Sequence, residues 1–206
     1  MARRTREEAE QTRQALLDSA LRLFAEQGIG QTSLKQVAQQ AGVTHGALYW
    51  HFRNRTDLVA ALYQDARLPL DDLHLEQLQS ASQNGLVALK DYLLSWIDLV
   101  LSDPHWRRVW RVFHLQSSDL PEIEALKPQL REEREEWLER LLQLLKKARK
   151  QKQINGKPRN RKDTLANELC LMLAGLISSN LLLSEIAAAG PCNDQVISTY
   201  LKGLAK

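Results

Sequence analysis

Residues that cross-link, break or extend a chain are scarce in this sequence. Among 206 residues there are two cysteines, nine glycines and six prolines. Cys170 and Cys192 form no C-x-x-C pair, which excludes a disulfide framework and a thiolate metal centre and favours incidental thiols in a reducing compartment. No segment alternates apolar and polar residues with a period of two, so β-strands are not expected.

Motifs of the familiar enzyme classes are missing as well. The histidines show neither H-x-x-x-H nor H-E-x-x-H spacing, and there is no G-x-S-x-G motif and no P-loop. We therefore expect a protein that is not an enzyme and that uses no metal and no cofactor. The N-terminal stretch "MARRTREEAEQ" lacks the apolar run of a signal peptide. The longest unbroken apolar run, Leu169–Ile177, falls short of the roughly 20 residues that span a bilayer, which predicts a soluble, cytoplasmic protein without membrane contact.

Acidic residues are absent from two stretches of the chain. Residues 146–162 hold nine of the 28 basic residues, so that 19 basic and 25 acidic residues remain elsewhere. Residues 27–56 contain Lys35, Arg53 and Arg55 and no acidic residue. Such patches attract polyanions more effectively than the net charge of +3 suggests. For 146–162 two interpretations stay open, a solvated loop between helices or a contact with nucleic acid or another anionic partner.

Hydrophobic periodicity predicts an all-α fold of about nine helices. The first helix runs from near Arg6 to Gln27 and stops at Gly28. Helices beyond the N-terminal region are expected over about residues 85–103, 104–116, 122–151, 164–188 and 193–204. The last two are so rich in apolar residues that something must cover them. We expect a homodimer in which these two C-terminal helices form a four-helix bundle.

Two short helices with a tight turn between them form the most informative pattern in the chain. Ser33 and Gln36 make a capping box that opens one short helix. Gly42 permits a turn with positive φ, and Thr44 caps a second short helix over residues 45–51. Such a pair is a helix-turn-helix, whose second helix enters the major groove of DNA.

The composition of the second short helix suits DNA contact. Thr44 and His45 lie at its exposed start and offer hydrogen-bonding groups, while Gly46 has no side chain to hold the backbone away from the duplex. The side chains expected to contact phosphates are Tyr49, His51, Arg53 and Arg55. Leu48 and Phe52 are expected in the core of this small domain.

The segment "TSLKQVAQQAGVTHGALYWHFRNRTDL", Thr32–Leu58, resembles the DNA-binding domain of the TetR family of transcriptional repressors. Three motifs carry the resemblance: "FAEQG" at the end of the first helix, "AGVTHGALYWHF" in the middle and "RNRTDL" at the start of the fourth helix. The N-terminal sequence is most similar to the AcrR-type branch, whose members repress multidrug efflux pump genes. Beyond residues 1–65 only the all-helical architecture corresponds.

Thr56 is expected to cap a fourth helix, which links the two parts of the chain. The resemblance implies a helix-turn-helix DNA-binding domain at residues 1–56 and a ligand-binding and dimerisation domain at residues 57–206. It implies a homodimer on a palindromic double-stranded DNA operator, released by a small hydrophobic or cationic inducer and controlling a multidrug efflux pump operon. Two alternatives stay open. One is a TetR-type regulator of another pathway with a lipid, quorum or metabolic signal, and the other is a ligand-independent architectural DNA-binding protein.

Matched residue by residue, the family motif assigns DNA contacts to the second and third helices and to the start of the fourth. Thr44, His45 and Gly46 match base-reading positions. The positions that contact the backbone or thymine methyl groups are Tyr49, Trp50, His51 and Arg55, and the start of the second helix adds Ser33 and Lys35. His45 stands where the AcrR-type branch often has arginine. Because an imidazole lacks the fork that arginine offers guanine, the resemblance does not give the base preference here.

Aromatic residues of the C-terminal part are candidates for a ligand pocket. They are Trp96, Trp106, Trp110, Phe113 and Trp137. Aromatic walls suit flat apolar or cationic drugs, and ordinary core packing is the alternative for each ring. Tyr63 and Arg67, on the helix that joins the two domains, are expected to couple the ligand to DNA. Arg108 belongs either to a solvated face or to the pocket as the partner of an anion.

Overall fold

The computed structural model describes residues 6–66, 84–115, 119–154, 164–183 and 193–205. Within these ranges the chain forms nine α-helices: α1 (Arg6–Gln27), α2 (Leu34–Gln40), α3 (His45–His51), α4 (Arg55–Asp65), α5 (Gly85–Ser102), α6 (Pro104–Trp110), α7 (Pro121–Lys150), α8 (Thr164–Leu183) and α9 (Asn193–Leu204). The described residues contain one isolated antiparallel bridge, between Ile154 and Ala205, and no strand. The predicted all-α fold of about nine helices is confirmed.

Local capping signals determine the N-terminal helices. Gly28, with φ of 89°, follows α1 and donates its N–H to the Phe24 carbonyl. The Ser33 hydroxyl accepts from the Gln36 N–H and the Gln36 side chain accepts from the Ser33 N–H, which completes the predicted capping box at α2. Gly42 has φ of 68°, in the left-handed region where a Cβ is strained. The predicted turn and helix boundaries up to α3 are therefore confirmed.

The start of α4 differs from the prediction. Asn54, not Thr56, is the N-cap, and its side-chain oxygen accepts from the Asp57 N–H at 2.8 Å. Helix α4 consequently begins at Arg55. Asparagine is a somewhat better cap than threonine, and Asp57 stays in the first turn, where the helix dipole favours its carboxylate.

Packing divides the chain into two compact units. The first unit comprises Met1–Arg67 and Arg108–Pro128, and the second comprises Leu68–Arg107 and Gln129–Lys206. The largest buried side chains of the first unit are Leu16, Leu17, Phe24, Ile29, Leu48, Leu58, Leu62 and Trp110, and those of the second are Leu89, Leu93, Trp96 and Ile97. Two helices, α6 and α7, each continue from one unit into the other. The functional boundary at residue 56 stays a prediction, because packing alone does not assign an activity to either part.

Helix α5 approaches the end of α7 too closely for a side chain at its first residue. A Cβ at Gly85 would lie 2.5 Å from the backbone nitrogen of Ala148 and 2.6 Å from its Cα. The Gly85 N–H donates to the Gln151 side chain at 2.6 Å, and the Leu86 N–H donates to the Gln153 side chain at 3.0 Å. The two side chains that follow α7 thus satisfy amides that the start of α5 leaves without a partner in the helix.

Helix α6 begins at Pro104, as predicted, and then widens into a π-helical turn over Arg111–Leu115. The sequence predicted only a continuous helix here. Val112 and Phe113 in this turn are buried, and the turn packs against α1 within the first unit. Single π-turns inserted in helices are rare and often lie at functional sites.

Helix α8 is 20 residues long, and an 18-residue window within it has a mean hydropathy of 1.5 and is 33% buried by its own chain. Among the described residues it is the one helix that is long and apolar enough to cross a membrane. Core helices of proteins without any membrane segment meet the same criterion. Residues 184–188, predicted as the end of this helix, lie outside the described residues.

Candidate nucleic-acid interface

Helix α3 presents one face to solvent and buries the other. Leu48 and Phe52 are buried, as predicted from their spacing. Thr44, His45, Gly46, Tyr49 and Trp50 are exposed, and Trp50 retains 73% of its accessible surface. Tyr49, at 47% exposed, places a second open ring beside it, so α3 presents aromatic ring surface on its solvent face.

Ring contacts fix the arrangement of the exposed face. His45 and Tyr49, one helical turn apart, meet edge to face with centroids 4.8 Å apart. Trp50 and His51 meet at 4.6 Å and 89°. Edge-to-face pairs are the favoured geometry for aromatic rings, so these contacts restrict the rotamers that the four side chains adopt.

The first turn of α3 is open to a close approach. The Thr44 hydroxyl oxygen accepts from the Ala47 N–H at 3.1 Å, which leaves its proton available for donation. A Cβ placed on Gly46 would meet nothing nearer than the Thr44 hydroxyl oxygen at 4.0 Å. The protein's own packing therefore does not require glycine at this position. A partner in close contact with the helix backbone would require it, because it would leave no room for a Cβ.

Residues at the start of α2 are also exposed. Lys35 extends from the first turn of α2, and Ser33 stands at its cap. The Ser33 hydroxyl is engaged within the chain, since its oxygen lies 2.8 Å from the Gln36 side-chain oxygen and donates to it. Of this predicted pair, Lys35 presents a charge to solvent and Ser33 mainly caps the helix.

The two arginines around the start of α4 are held by carboxylates. Arg53 donates to both oxygens of Asp57, at 2.6 and 3.2 Å, and its side chain remains 86% exposed. The hydrogen bond from Arg53 holds the pKa of the Asp57 carboxyl below its usual value. The pair offsets part of the positive charge that the sequence indicated in this stretch.

Arg55 points into the first unit. Its Nε donates to Glu122 Oε1 at 2.7 Å, and its Nη1 donates to the Gly30 and Thr32 carbonyls at 3.4 and 3.5 Å. The Glu122 side chain is only 6% exposed. Sequence reasoning missed Glu122, because nothing in the motif "PEIEALKP" separates it from the exposed Glu124.

The predicted ligand-pocket residues fall into two groups. In the first unit the rings of Tyr63 and Phe113 meet at 5.2 Å, and Trp110 stacks on His114 at 4.2 Å. In the second unit Trp96 contacts Trp137 at 4.7 Å. Trp106 is half-buried, beside His105, at 4.7 Å between ring centroids. Arg67 lies outside the described residues.

Two further rings that the sequence did not single out belong to these groups. Tyr92 lies 6.5 Å from Trp96. His114 forms part of the π-helical turn, and burial lowers its pKa to about 4, so the ring is neutral at physiological pH. Arg108 is half-buried. Burial of these aromatic side chains is compatible with core packing and with a pocket wall alike.

No cluster of three or more histidine, cysteine or acidic side chains suited to a metal ion occurs in the part of the chain that the structure describes. Cys170 is a buried free thiol in α8. Burial raises its pKa, which keeps it protonated and unreactive.

Comparison with known proteins identifies the family. Residues 16–62 match the family described as bacterial regulatory proteins, tetR family. The chain is 30% identical over 178 residues to the HTH-type transcriptional regulator AcrR of Shigella flexneri, with 86% of this chain and 80% of that protein covered. The chain belongs to the TetR family. As such it is a DNA-binding transcriptional repressor and not an enzyme, as predicted.

Other TetR-family relatives extend over most of the chain. The HTH-type transcriptional repressor BepR of Brucella suis is 28% identical over 176 residues, covering 85% of this chain and 83% of that protein. The solved structure of NalD, described as the secondary repressor of the MexAB-OprM multidrug efflux pump in Pseudomonas aeruginosa, has a TM-score of 0.76 at 26% identity and covers 98% of this chain and 99% of its own. A complex of SmeT with triclosan, at a TM-score of 0.75 and 22% identity over 95% of this chain and 92% of its own, supports the fold.

Proposed function

We propose that this TetR-family repressor reads a palindromic operator as a homodimer, with α3 in the major groove. The exposed first turn of α3, in a stretch without acidic residues, is the observation that carries the proposal. Thr44, His45 and Gly46 approach base edges, which alone carry sequence information. The residues assigned to the backbone or to thymine methyl groups are Ser33, Lys35, Tyr49, Trp50 and His51.

In this proposal the repressor is cytoplasmic, and the genes that it regulates encode a multidrug efflux pump of the same cell. The support comes from a relative, because NalD is described as the secondary repressor of such a pump. A repressor of this kind acts by occupying its operator until an inducer lowers its affinity, which couples pump synthesis to the presence of the compound.

The dimer interface of the proposal consists of α8 and α9. Leu171 and Leu182 on α8 are 66% and 59% exposed in the single chain, and Val196 on α9 is exposed as well. Apolar residues concentrated on two neighbouring helices favour burial against a second copy of the same helices. Gly175, where a Cβ would meet nothing within 4 Å, leaves room for a close helix–helix approach.

The inducer in this proposal is a small hydrophobic or cationic molecule that binds among the aromatic side chains. The candidates are Tyr63, Trp110 and Phe113 in the first unit, Trp96, Trp106 and Trp137 in the second unit, and Arg67. Trp96 and Trp137 are close enough that one flat ligand would contact both rings. Ethidium titrated into the protein should quench tryptophan fluorescence. Trp96→Phe should remove much of that quenching, and Trp50→Phe, a matched change of an exposed tryptophan, should not.

The direct test of function is selection of DNA by the purified protein. We expect the protein to enrich one palindromic sequence from a random pool of duplexes and to bind the enriched duplex with two protomers per site. Ethidium or a bile salt should then release it. Enrichment of no sequence would refute specific operator binding and favour an architectural DNA-binding protein, and binding unaffected by any such compound would point to an inducer from another pathway.

Leu171→Glu tests the dimer interface. The charged side chain should produce monomers in size-exclusion chromatography with light scattering at micromolar concentration, because an unpaired charge is costly in an apolar interface. Val87→Glu, at another exposed apolar residue of the second unit, is the control and should leave the mass unchanged. A dimeric Leu171→Glu variant would exclude this surface.

A further inference from the structure

The contacts of Arg55 differ from those expected of a residue that grips DNA. Three acceptors within the first unit surround its guanidinium: the Glu122 carboxylate and the carbonyls of Gly30 and Thr32. None of these acceptors belongs to α4, the helix that carries Arg55. The guanidinium fork is suited to such a set, because its donors are fixed in one plane and satisfy several acceptors at once.

Glu122 makes release of Arg55 costly. Its side chain is 6% exposed, and its second oxygen, Oε2, is buried without a hydrogen bond in the described part of the chain. If Arg55 turned away to a phosphate, a carboxylate would remain in a desolvated site with no compensating charge, which is strongly unfavourable. Glu122, whose Oε1 lies 2.7 Å from Arg55 Nε, is therefore the stable partner of Arg55.

The acceptors of Arg55 belong to the segments that hold the recognition helix. Gly30 and Thr32 lie in the connection between α1 and α2, directly before the capping residue of α2. Arg55 is the first residue of α4 and follows α3 after only residues 52–54. Glu122 lies in the first turn of α7. The Arg55 side chain thus joins the start of α4 to the connection between α1 and α2 and to the first turn of α7.

We propose that Arg55 and Glu122 are positioning residues for operator binding, and that Arg55 acts through this ion pair and not through a phosphate contact. Through the pair, the first turn of α7 sets the placement of α3 relative to α1 and α2. The proposal rests on the proposed function, since operator affinity is one of its readouts. It predicts that Glu122, which carries a negative charge and would repel DNA, nevertheless strengthens binding.

Operator affinity and its salt dependence separate the two roles of Arg55. The probe is the duplex that the wild-type protein enriches from a random pool, and the variants are Arg55→Gln, Glu122→Gln and the double variant. Each single variant should lower the operator affinity by about fivefold or more, a typical size for the coupling between two contacting residues. The double variant should bind no more weakly than the weaker of the two single variants. The slope of log affinity against log salt should not change, because no phosphate contact is lost.

Glu124→Gln is the matched control for charge. It removes the same charge from the same turn of α7, but Glu124 is exposed and pairs with Lys127. It should leave affinity within about twofold, as expected of an exposed ion pair. Arg55→Lys keeps the charge without the fork and should behave like Arg55→Gln. The proposal is wrong if Glu122→Gln binds as tightly as wild type while Arg55→Gln lowers the salt slope by about 1 per protomer, or if Arg55→Lys retains full affinity.

Hydrogen exchange tests the positioning role without DNA. Amides of α2 and α3 should exchange faster in Glu122→Gln than in wild type under conditions where both are folded, and Glu124→Gln should match wild type. Unchanged exchange in Glu122→Gln would overturn the proposal. If the wild-type protein enriched no duplex, the proposed function would fail, and this measurement alone would decide whether the pair positions α3.

Discussion

Gly46→Ala is expected to change folding stability and operator affinity in opposite directions. Gly46 is the second residue of α3 and has a helical backbone, and a Cβ there meets nothing nearer than 4.0 Å. Alanine is favoured over glycine by about 1 kcal/mol within a helix. In the first turn of so short a helix we expect about half of that, so the free energy of unfolding should rise by roughly 0.5 kcal/mol.

The loss of affinity follows from two added methyl groups, one in each protomer of the proposed dimer. If the backbone of Gly46 approaches the duplex, each methyl group pushes α3 back and weakens the neighbouring base contacts, each worth about 1–3 kcal/mol. One base contact of about 1 kcal/mol lost in each protomer gives about 2 kcal/mol in total, which is roughly a thirtyfold higher dissociation constant.

Fluorescence anisotropy with the enriched duplex measures the affinity, and urea denaturation measures the stability. A Gly46→Ala variant that is more stable and binds as tightly as wild type would refute the close approach of α3 to DNA. A variant less stable by more than about 1 kcal/mol would contradict the packing at Gly46.

Two further predictions concern stability. Gly85→Ala should lower the urea midpoint, because the new Cβ meets the backbone of Ala148 at 2.5 Å and overpacking costs about 1–3 kcal/mol, more than the helix gains from alanine; an unchanged midpoint would contradict the tight contact between α5 and α7. For His114, burial lowers the folded pKa to about 4 from 6.5. Its stabilising contribution is therefore complete above pH 6.5 and is lost as the pH falls towards 4, by no more than about 3 kcal/mol. His114→Phe should remove this pH dependence between pH 6.5 and 5, where most carboxylates stay ionised, and an unchanged slope in the variant would show that other groups cause it.

Local interactions explain why much of the N-terminal region was predictable. The capping and turn residues of this region interact only with residues a few positions away, so their roles follow from sequence spacing; they are Ser33 with Gln36, Gly42 and Thr44. The error at α4 has the same origin. Asn54 and Thr56 are both capable caps two residues apart, and the choice between them depends on small differences in free energy.

Contacts between distant segments explain what the sequence did not reveal. Arg55 and Glu122 are 67 residues apart, and no short-range pattern distinguishes Glu122 from Glu124. The π-helical turn at Arg111–Leu115 and the pairing of Tyr63 with Phe113 likewise depend on tertiary packing. Gly85 looked like an ordinary residue at the start of a helix, and only its distance to the Ala148 backbone shows why a side chain does not fit.

The central claim is that α3 reads the operator sequence, and a comparison of the duplexes enriched by wild type and by His45→Ala tests it most directly. The account predicts that wild type enriches a palindrome whose half-sites are centred one helical turn of DNA, about 10 base pairs, or a multiple of it apart. His45→Ala should relax the preference at one position in each half-site, at a cost of about 1–3 kcal/mol on the wild-type duplex. An equal loss of affinity on all sequences, or an enriched sequence identical to that of wild type, would contradict it.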